Sequence, residues 1–160
     1  MEKQTEKLLK GGFLSTDDIC LFCKIALGEL VASVVFEDDI SLGFLDHRPL
    51  FVGHTLLVPK KHFELLSDLP SALVGPFFEN VQLLSRAVEV GMGAEGTFVA
   101  MNNRVSQSVP HLHVHVVPRR KKDGLKGFFW PRTKYKSEEE LIETRRLIVS
   151  AVAKIKKESE

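Results

Sequence analysis

His111-Leu112-His113-Val114-His115-Val116 sets the tightest limit on how this chain folds. Imidazole and aliphatic side chains alternate, which matches the two-residue period of a β-strand. A strand over about 111–117, stopped by Pro118, puts His111, His113 and His115 on one face. Leu112, Val114 and Val116 then share the other face and can enter a core. The chain has six histidines, so half of them fall in one short segment. Aligned imidazoles can titrate, attack, donate or bind metal near neutral pH.

The flanking sequence suggests an antiparallel α+β domain. Val31–Glu37 is β-branched and aromatic and reads as a strand. Asp38-Asp39 turns into a second strand, Ile40–Leu45, broken by His47-Arg48-Pro49. Thr55–Val58 is a third, closed by Pro59, and Thr97–Met101 a fourth; the histidine segment is the fifth. Pro70 and Ser71 open a helix whose apolar residues, from Leu73 to Val88, follow helical spacing. Gly91-Met92-Gly93 ends it. Ser137-Glu138-Glu139-Glu140 resembles a capped start of a C-terminal helix over about 137–157. Strands, helix, strands, helix is not the regular alternation of a parallel sheet. Residues 1–17 read as a flexible leader before one domain over 18–160, with Thr16-Asp17-Asp18 capping a short helix near Ile19.

Composition narrows the class of function. Of 160 residues, 44% are hydrophobic and 27% charged, as in ordinary globular proteins. A net charge of +1 gives no general case for nucleic acid. No apolar run approaches the ~20 residues of a membrane span, and the N-terminal apolar stretch is too short for a secretory signal. A cytoplasmic protein is expected, with no membrane or nucleic-acid partner. The segment 119–136 is locally basic and reads either as a solvated loop or as a collar for a polyanion. Trp130 and Tyr135 beside it either stack on a second base or pack on the C-terminal helix.

The histidine strand permits three readings: satisfied structural histidines, a metal site, or a strand whose middle residue, His113, attacks phosphorus. In the third, the neighbouring histidines hold the tautomer and supply a proton. The upstream Asn102-Asn103-Arg104-Val105-Ser106-Gln107-Ser108 favours it, because amides, hydroxyls and a guanidinium suit phosphate oxygens. Cys20 and Cys23 also leave three readings: a redox pair, two small core residues, or half of a zinc site.

The stretch Ser106-Gln-Ser-Val-Pro-His-Leu-His-Val-His-Val-Val-Pro-Arg119 resembles the signature of the histidine triad (HIT) superfamily of nucleotide hydrolases and transferases. Cys20-Leu-Phe-Cys-Lys-Ile25, Phe44-Leu-Asp46 and Gly53-His-Thr-Leu-Leu-Val-Pro-Lys-Lys-His62 resemble HIT segments in the same order, so the likeness covers roughly residues 18–119.

The resemblance implies a five-stranded antiparallel sheet with two main helices, pairing into a homodimer. It implies a purine nucleotide substrate cleaved at its α-phosphate through a nucleotidyl-His113 intermediate released by water. His115 contacts the phosphate or leaving group, and His111 supports the line from behind. Gln107 and Ser108 match positions near the phosphate, and Asp46 the position that holds the ribose hydroxyls. Leu21, Phe22, Ile25, Phe44 and Leu56 match walls of the base pocket, and His54 a histidine beside the triad. Counting along the strand favours Asn102 as the phosphate-binding asparagine. The loop before Gln107 is shorter than in many members, which keeps Asn103 in play and makes Arg104 a further candidate. Zinc-bearing members place ligands at positions matching Cys20, Cys23, His62 and His111, implying a structural zinc with no organic cofactor. A nucleotide-binding regulatory module with incidental hydrolysis is the alternative, and a metallohydrolase using the triad as ligands a further one. Adenosine phosphoramidates, aminoacyl-adenylates and dinucleoside polyphosphates fit the substrate class equally.

Overall fold

The computed structural model describes residues 20–125, 135–145, 147 and 149. The leader, Thr16–Asp18, Trp130 and the end of the C-terminal helix lie outside them. The chain divides into two compact units after Asp123.

The first unit opens with helix α1, Leu21–Ala26. Cys20 is its N-cap, its sulfur accepting the Cys23 N–H at 3.3 Å. Strand β1 is Val34–Glu37 and β2 is Ser41–Leu45. Between them the Asp38 carboxylate accepts the N–H groups of Ile40 and Ser41, which folds the turn. Strand β3 is Thr55–Pro59. A 3₁₀ turn at Leu66–Asp68, not expected from the sequence, leads to helix α2, Ser71–Gly91. Strands β4, Gly96–Ala100, and β5, Val114–Arg119, complete the sheet. The order is β1-β2-β3-β5-β4, with every neighbouring pair antiparallel.

Helix α2 buries Phe77, Val81, Leu84 and Val88, one stripe at helical spacing. These meet Leu57, Val114 and Val116 from the sheet, with Leu112 just ahead of β5. A second cluster on the opposite face joins Phe22 of α1 to Leu42, Phe44, Leu56 and Val58. The alternation read from residues 111–116 is therefore real: its aliphatics fill the α2 side, each with no exposed surface.

Strands β2, β3 and β4 differ from the sequence reading by one residue at one end or both, and three differences are larger or bear on the site. Paired strand starts at Val114, so His111, which lies in a bend, and His113 precede the ladder. Pro118 does not end the strand. It pairs with Thr97, whereas β3 pairs with β5 only through residues 114–116, so on that side no ladder bond is lost to the proline. Val31–Ser33 lie outside β1, which begins at Val34.

In the second unit, residues 138–145, 147 and 149 are helical. Ser137 caps this helix, its hydroxyl accepting the Glu140 N–H at 3.3 Å. No helix among the described residues is long and apolar enough to cross a membrane.

Candidate functional site

Strands β3 and β5 bring four histidines into one row. Leu56 pairs with His115, and His54 lies two residues from Leu56, so His54 comes beside His115. The ring centroids of His113 and His115 are 5.0 Å apart, and those of His54 and His115 5.2 Å. His62 continues the row at the other end, 5.0 Å from His111. His54, His111 and His113 are almost wholly buried.

Hydrogen bonds to groups with only one possible role fix the proton on each ring. The main-chain carbonyl of His111 can only accept, so His113 donates to it from Nδ1, at 2.6 Å. The Nε2 of neutral His113 is left with its lone pair. His111 likewise donates from Nε2 to the Pro59 carbonyl at 2.8 Å, which leaves its Nδ1 as an acceptor. The Leu50 N–H can only donate, so His54 accepts it at Nδ1, 3.2 Å away. Neutral His54 then carries its proton on Nε2 and donates to Nδ1 of His115 at 3.0 Å. His115 in turn carries its proton on Nε2. One imidazole thus offers a lone pair while its neighbour offers an N–H.

Burial favours the neutral rings. It pushes His115 down to about 4, helped by His113 and His54, while Asp46 opposes the shift. Burial lowers His54 as well, again against the pull of Asp46. Burial also takes His111 to about 4, although its bond to Pro59 acts in the other direction.

A cavity of about 520 Å³ is lined by Leu21, Ile25, Phe44 and Asp46 among others. The Asp46 carboxylate accepts the Arg48 N–H at 2.8 Å and stands 3.6 Å from Nδ1 of His54. Phe22 is buried, edge-on to the rings of Phe44, His111 and His113, with centroids 5.5, 6.0 and 5.2 Å away. Leu56 is buried in the same cluster.

The loop 102–107 is clipped to the segment 64–66. Gln107 accepts the Arg104 N–H and donates to the Glu64 carbonyl, both at 2.7 Å. Asn103 accepts the Leu66 N–H through its side-chain oxygen at 2.9 Å. Arg104 and Ser106 adopt left-handed backbone, with φ of 67° and 60°, the geometry that closes the short loop. Asn102 is half-buried one residue upstream, and Ser108 is exposed.

Cys20, Cys23, His62 and His111 converge, with their ligating atoms all within 4.8 Å of one another. Nδ1 of His111 is 3.3 and 3.5 Å from the two sulfurs, and Nδ1 of His62 3.4 and 3.2 Å. Burial, with Cys20 alongside, pushes the Cys23 thiol up to about 12. A divalent cation reverses that preference by binding thiolate. Two sulfurs and two imidazoles make a closed tetrahedral donor set for zinc. The His111–Pro59 bond matches the outer-shell contact that orients a ligating histidine. The residues present therefore fit a zinc ion.

Several basic residues of the segment 119–136 are engaged within the chain. Arg119 holds Asp123 at 2.6 Å, and Lys121 lies 3.8 Å from Glu95. Arg120 donates to the carbonyls of Met92 and Gly93, satisfying the C-terminal end of α2. Residues 126–134 lie outside the described residues.

Sequence reasoning placed His54 beside the triad but missed its role in fixing the His115 proton, a consequence of strand register. It also missed the Pro59 carbonyl and the Leu50 N–H, main-chain groups that leave no mark in a sequence. Gly53 entered the sequence reading only as part of a HIT-like segment, without the reason for a glycine there. Its φ is +97°, and a Cβ there would lie 2.6 Å from Cγ of Met92. The residue before His54 must be small and left-handed for Met92 to close over it.

The HIT domain profile matches residues 28–122. An uncharacterized HIT-like protein from Methanocaldococcus jannaschii is 44% identical over 110 residues, 66% of this chain and 83% of that one. An adenylylsulfatase from Arabidopsis thaliana is 36% identical over 66% of this chain, the match spanning 55% of that protein. An adenosine 5'-monophosphoramidase from Schizosaccharomyces pombe is 32% identical over 70% of this chain and 83% of its own length. Among solved structures, a HIT family protein from Bacillus subtilis superposes with a TM-score of 0.72 at 35% identity, covering 84% of this chain and 95% of that one. A zinc-bound histidine triad protein from Mycobacterium smegmatis does so at 0.63 and 38%, covering 86% and 96%. A buried histidine row on an antiparallel sheet, together with these likenesses, makes this chain a member of the HIT family.

Proposed function

We propose that the protein cleaves a purine nucleotide at its α-phosphate, as a hydrolase or nucleotidyl transferase, through a covalent bond to Nε2 of His113. The observation that carries this reading is the 2.6 Å bond from His113 Nδ1–H to the His111 carbonyl. It aims a lone pair, not a proton, along the free edge of the ring. Attack forms the N–P bond and expels the leaving group; water then breaks that bond and releases the nucleoside monophosphate. The N–H on Nε2 of His115 donates to a phosphate oxygen as charge builds there. Asp46, Ile25 and Phe44 line a cavity suited to the nucleoside, and Asn102 and Ser108 are the phosphate ligands. Gln107 acts by holding the loop, since its amide is engaged with Arg104 and Glu64. Adenylylsulfates, adenosine phosphoramidates, aminoacyl-adenylates and dinucleoside polyphosphates all present the bond this site would cleave.

Zinc held by Cys20, Cys23, His62 and His111 would tie α1 to the sheet. With four protein ligands it leaves no position for water, so its part is structural. A homodimer pairing along the edge strand β4, where Val99 is exposed, completes the reading.

Asp46, His54 and His115 also cluster closely enough to suggest a catalytic ion. The shared proton between His54 and His115 argues instead for a hydrogen-bonded chain. The test is a panel of these nucleotides with wild type and His113→Ala, reading monophosphate release, nucleotide binding and bound metal. Lost turnover with retained binding and unchanged metal is expected. A trapped adduct on another side chain, or metal lost on this substitution, overturns the assignment.

A further inference from the structure

Three connections run from the Cys/His cluster to the reaction centre. His111 faces the sulfurs through Nδ1, while its main-chain carbonyl holds the Nδ1–H of His113. Phe22 sits between the two cysteines in sequence, and its ring packs edge-on to His113. Leu21 and Ile25 of the same helix line the cavity that faces Asp46. Whatever state the sulfurs adopt is therefore felt by the nucleophile and by the wall of the cavity.

The sulfurs are placed to change state. Both cysteines are half-exposed. Their Sγ atoms are 3.0 Å apart, so a disulfide needs an approach of roughly 1 Å. His62, the outer ligand, is exposed, which opens the cluster to small solutes.

We propose that Cys20, Cys23, His62 and His111 form a zinc–thiolate redox switch in which peroxide oxidation of the two cysteines expels the metal and releases the hold on His113. This rests on the zinc and the His113 nucleophile of the preceding reading. One thiolate attacks the peroxide, forming an S–O bond as the O–O bond breaks and hydroxide leaves. The second thiolate attacks that sulfur, forming the S–S bond and displacing the oxygen. With two protons taken up, two thiolates and one hydrogen peroxide give one disulfide and two waters, and the zinc ion departs with its charge unchanged. A dithiol reductant and zinc reverse the change. His111 and Phe22 act as positioning residues: His111 keeps its bond to Pro59 but loses the ion, and Phe22 shifts as α1 detaches.

The test uses the full chain loaded with zinc and titrated with hydrogen peroxide. Four readouts are followed: zinc captured by a chromophoric chelator, intact mass with peptide mapping, the downfield Nδ1–H proton of His113 by NMR, and monophosphate release. One zinc per chain, a Cys20–Cys23 disulfide, loss of the downfield proton and a fall in turnover of roughly tenfold or more should appear together. Dithiothreitol plus zinc should restore all four. Cys23→His keeps four ligands but cannot form the disulfide, so it should hold zinc through the same titration. A disulfide and zinc release with an unchanged His113 proton and unchanged turnover would overturn the switch and leave the nucleophile standing. Equal inactivation of Cys23→His would place the sensitive group elsewhere. A protein purified without zinc, and taking up none, would overturn the switch together with the zinc reading, whereas failure of the His113 assignment would show in the adduct mapping and the His113→Ala panel.

Discussion

Nε2 of His54 lies 3.0 Å from Nδ1 of His115, and the direction of that bond is set from outside the pair by the Leu50 N–H. The backbone thereby dictates, through one ring, which nitrogen of the next ring carries a proton. His54→Ala should release His115 to populate both tautomers, visible in its ¹⁵N imidazole shifts. Turnover should fall by about 10–100-fold with nucleotide binding much less affected. An unchanged His115 tautomer with full turnover would remove His54 from the mechanism.

Acid should destabilise the fold through the same rings. His115 titrates near 4 in the folded chain against 6.5 when unfolded. Between those values the unfolded state binds more protons, so stability falls as pH drops from about 6.5 towards 4 and is fully present above that range. The loss from His115 alone is on the order of 3 kcal/mol. Denaturant midpoints taken from pH 7 to pH 4 should decline over this window, and His115→Gln should flatten the curve.

Gly53→Ala should cost about 1–3 kcal/mol, because the added methyl meets Met92 while φ stays at +97°. Met92→Ala in the same background should return only the steric part. Chemical denaturation of the two single variants and the double variant measures each share.

His62→Ala removes the exposed ligand while leaving the His111–Pro59 bond intact. Zinc affinity should drop by at least about tenfold, and the melting temperature should become dependent on added zinc. Competition against a chelator of known affinity reads the first, and calorimetry with and without zinc the second. An affinity equal to wild type would take His62 out of the ligand set.

The sequence disclosed the site better than the backbone around it. Alternation at residues 111–116 separates a reactive face from a packed one, and that separation holds although the first three residues precede the ladder. Val114, and not His111, begins β5 because the Leu112 N–H donates to the Phe63 carbonyl instead of to β3, and Pro118 is tolerated because β3 pairs with β5 no further than Val116. The Cys20–Cys23 spacing signals a chelating pair, yet its partners are 39 or more residues away. Only the resemblance to zinc-bearing relatives pointed to His62 and His111. The basic residues after Val117 left two readings open in the sequence, a solvated loop or a collar, because partners such as Glu95 and the carbonyls of Met92 and Gly93 come from distant chain.

The length of α2 is itself a setting for the chemistry. Met92 terminates this helix and closes over Gly53, next to His54. One residue inserted in the last turn would swing Met92 by about 100° around the axis. The glycine would lose its cover, and the disturbance would enter the imidazole row from behind. Variation in the number of residues between Ser71 and Met92 should therefore be far less tolerated than variation in their identity on the exposed side.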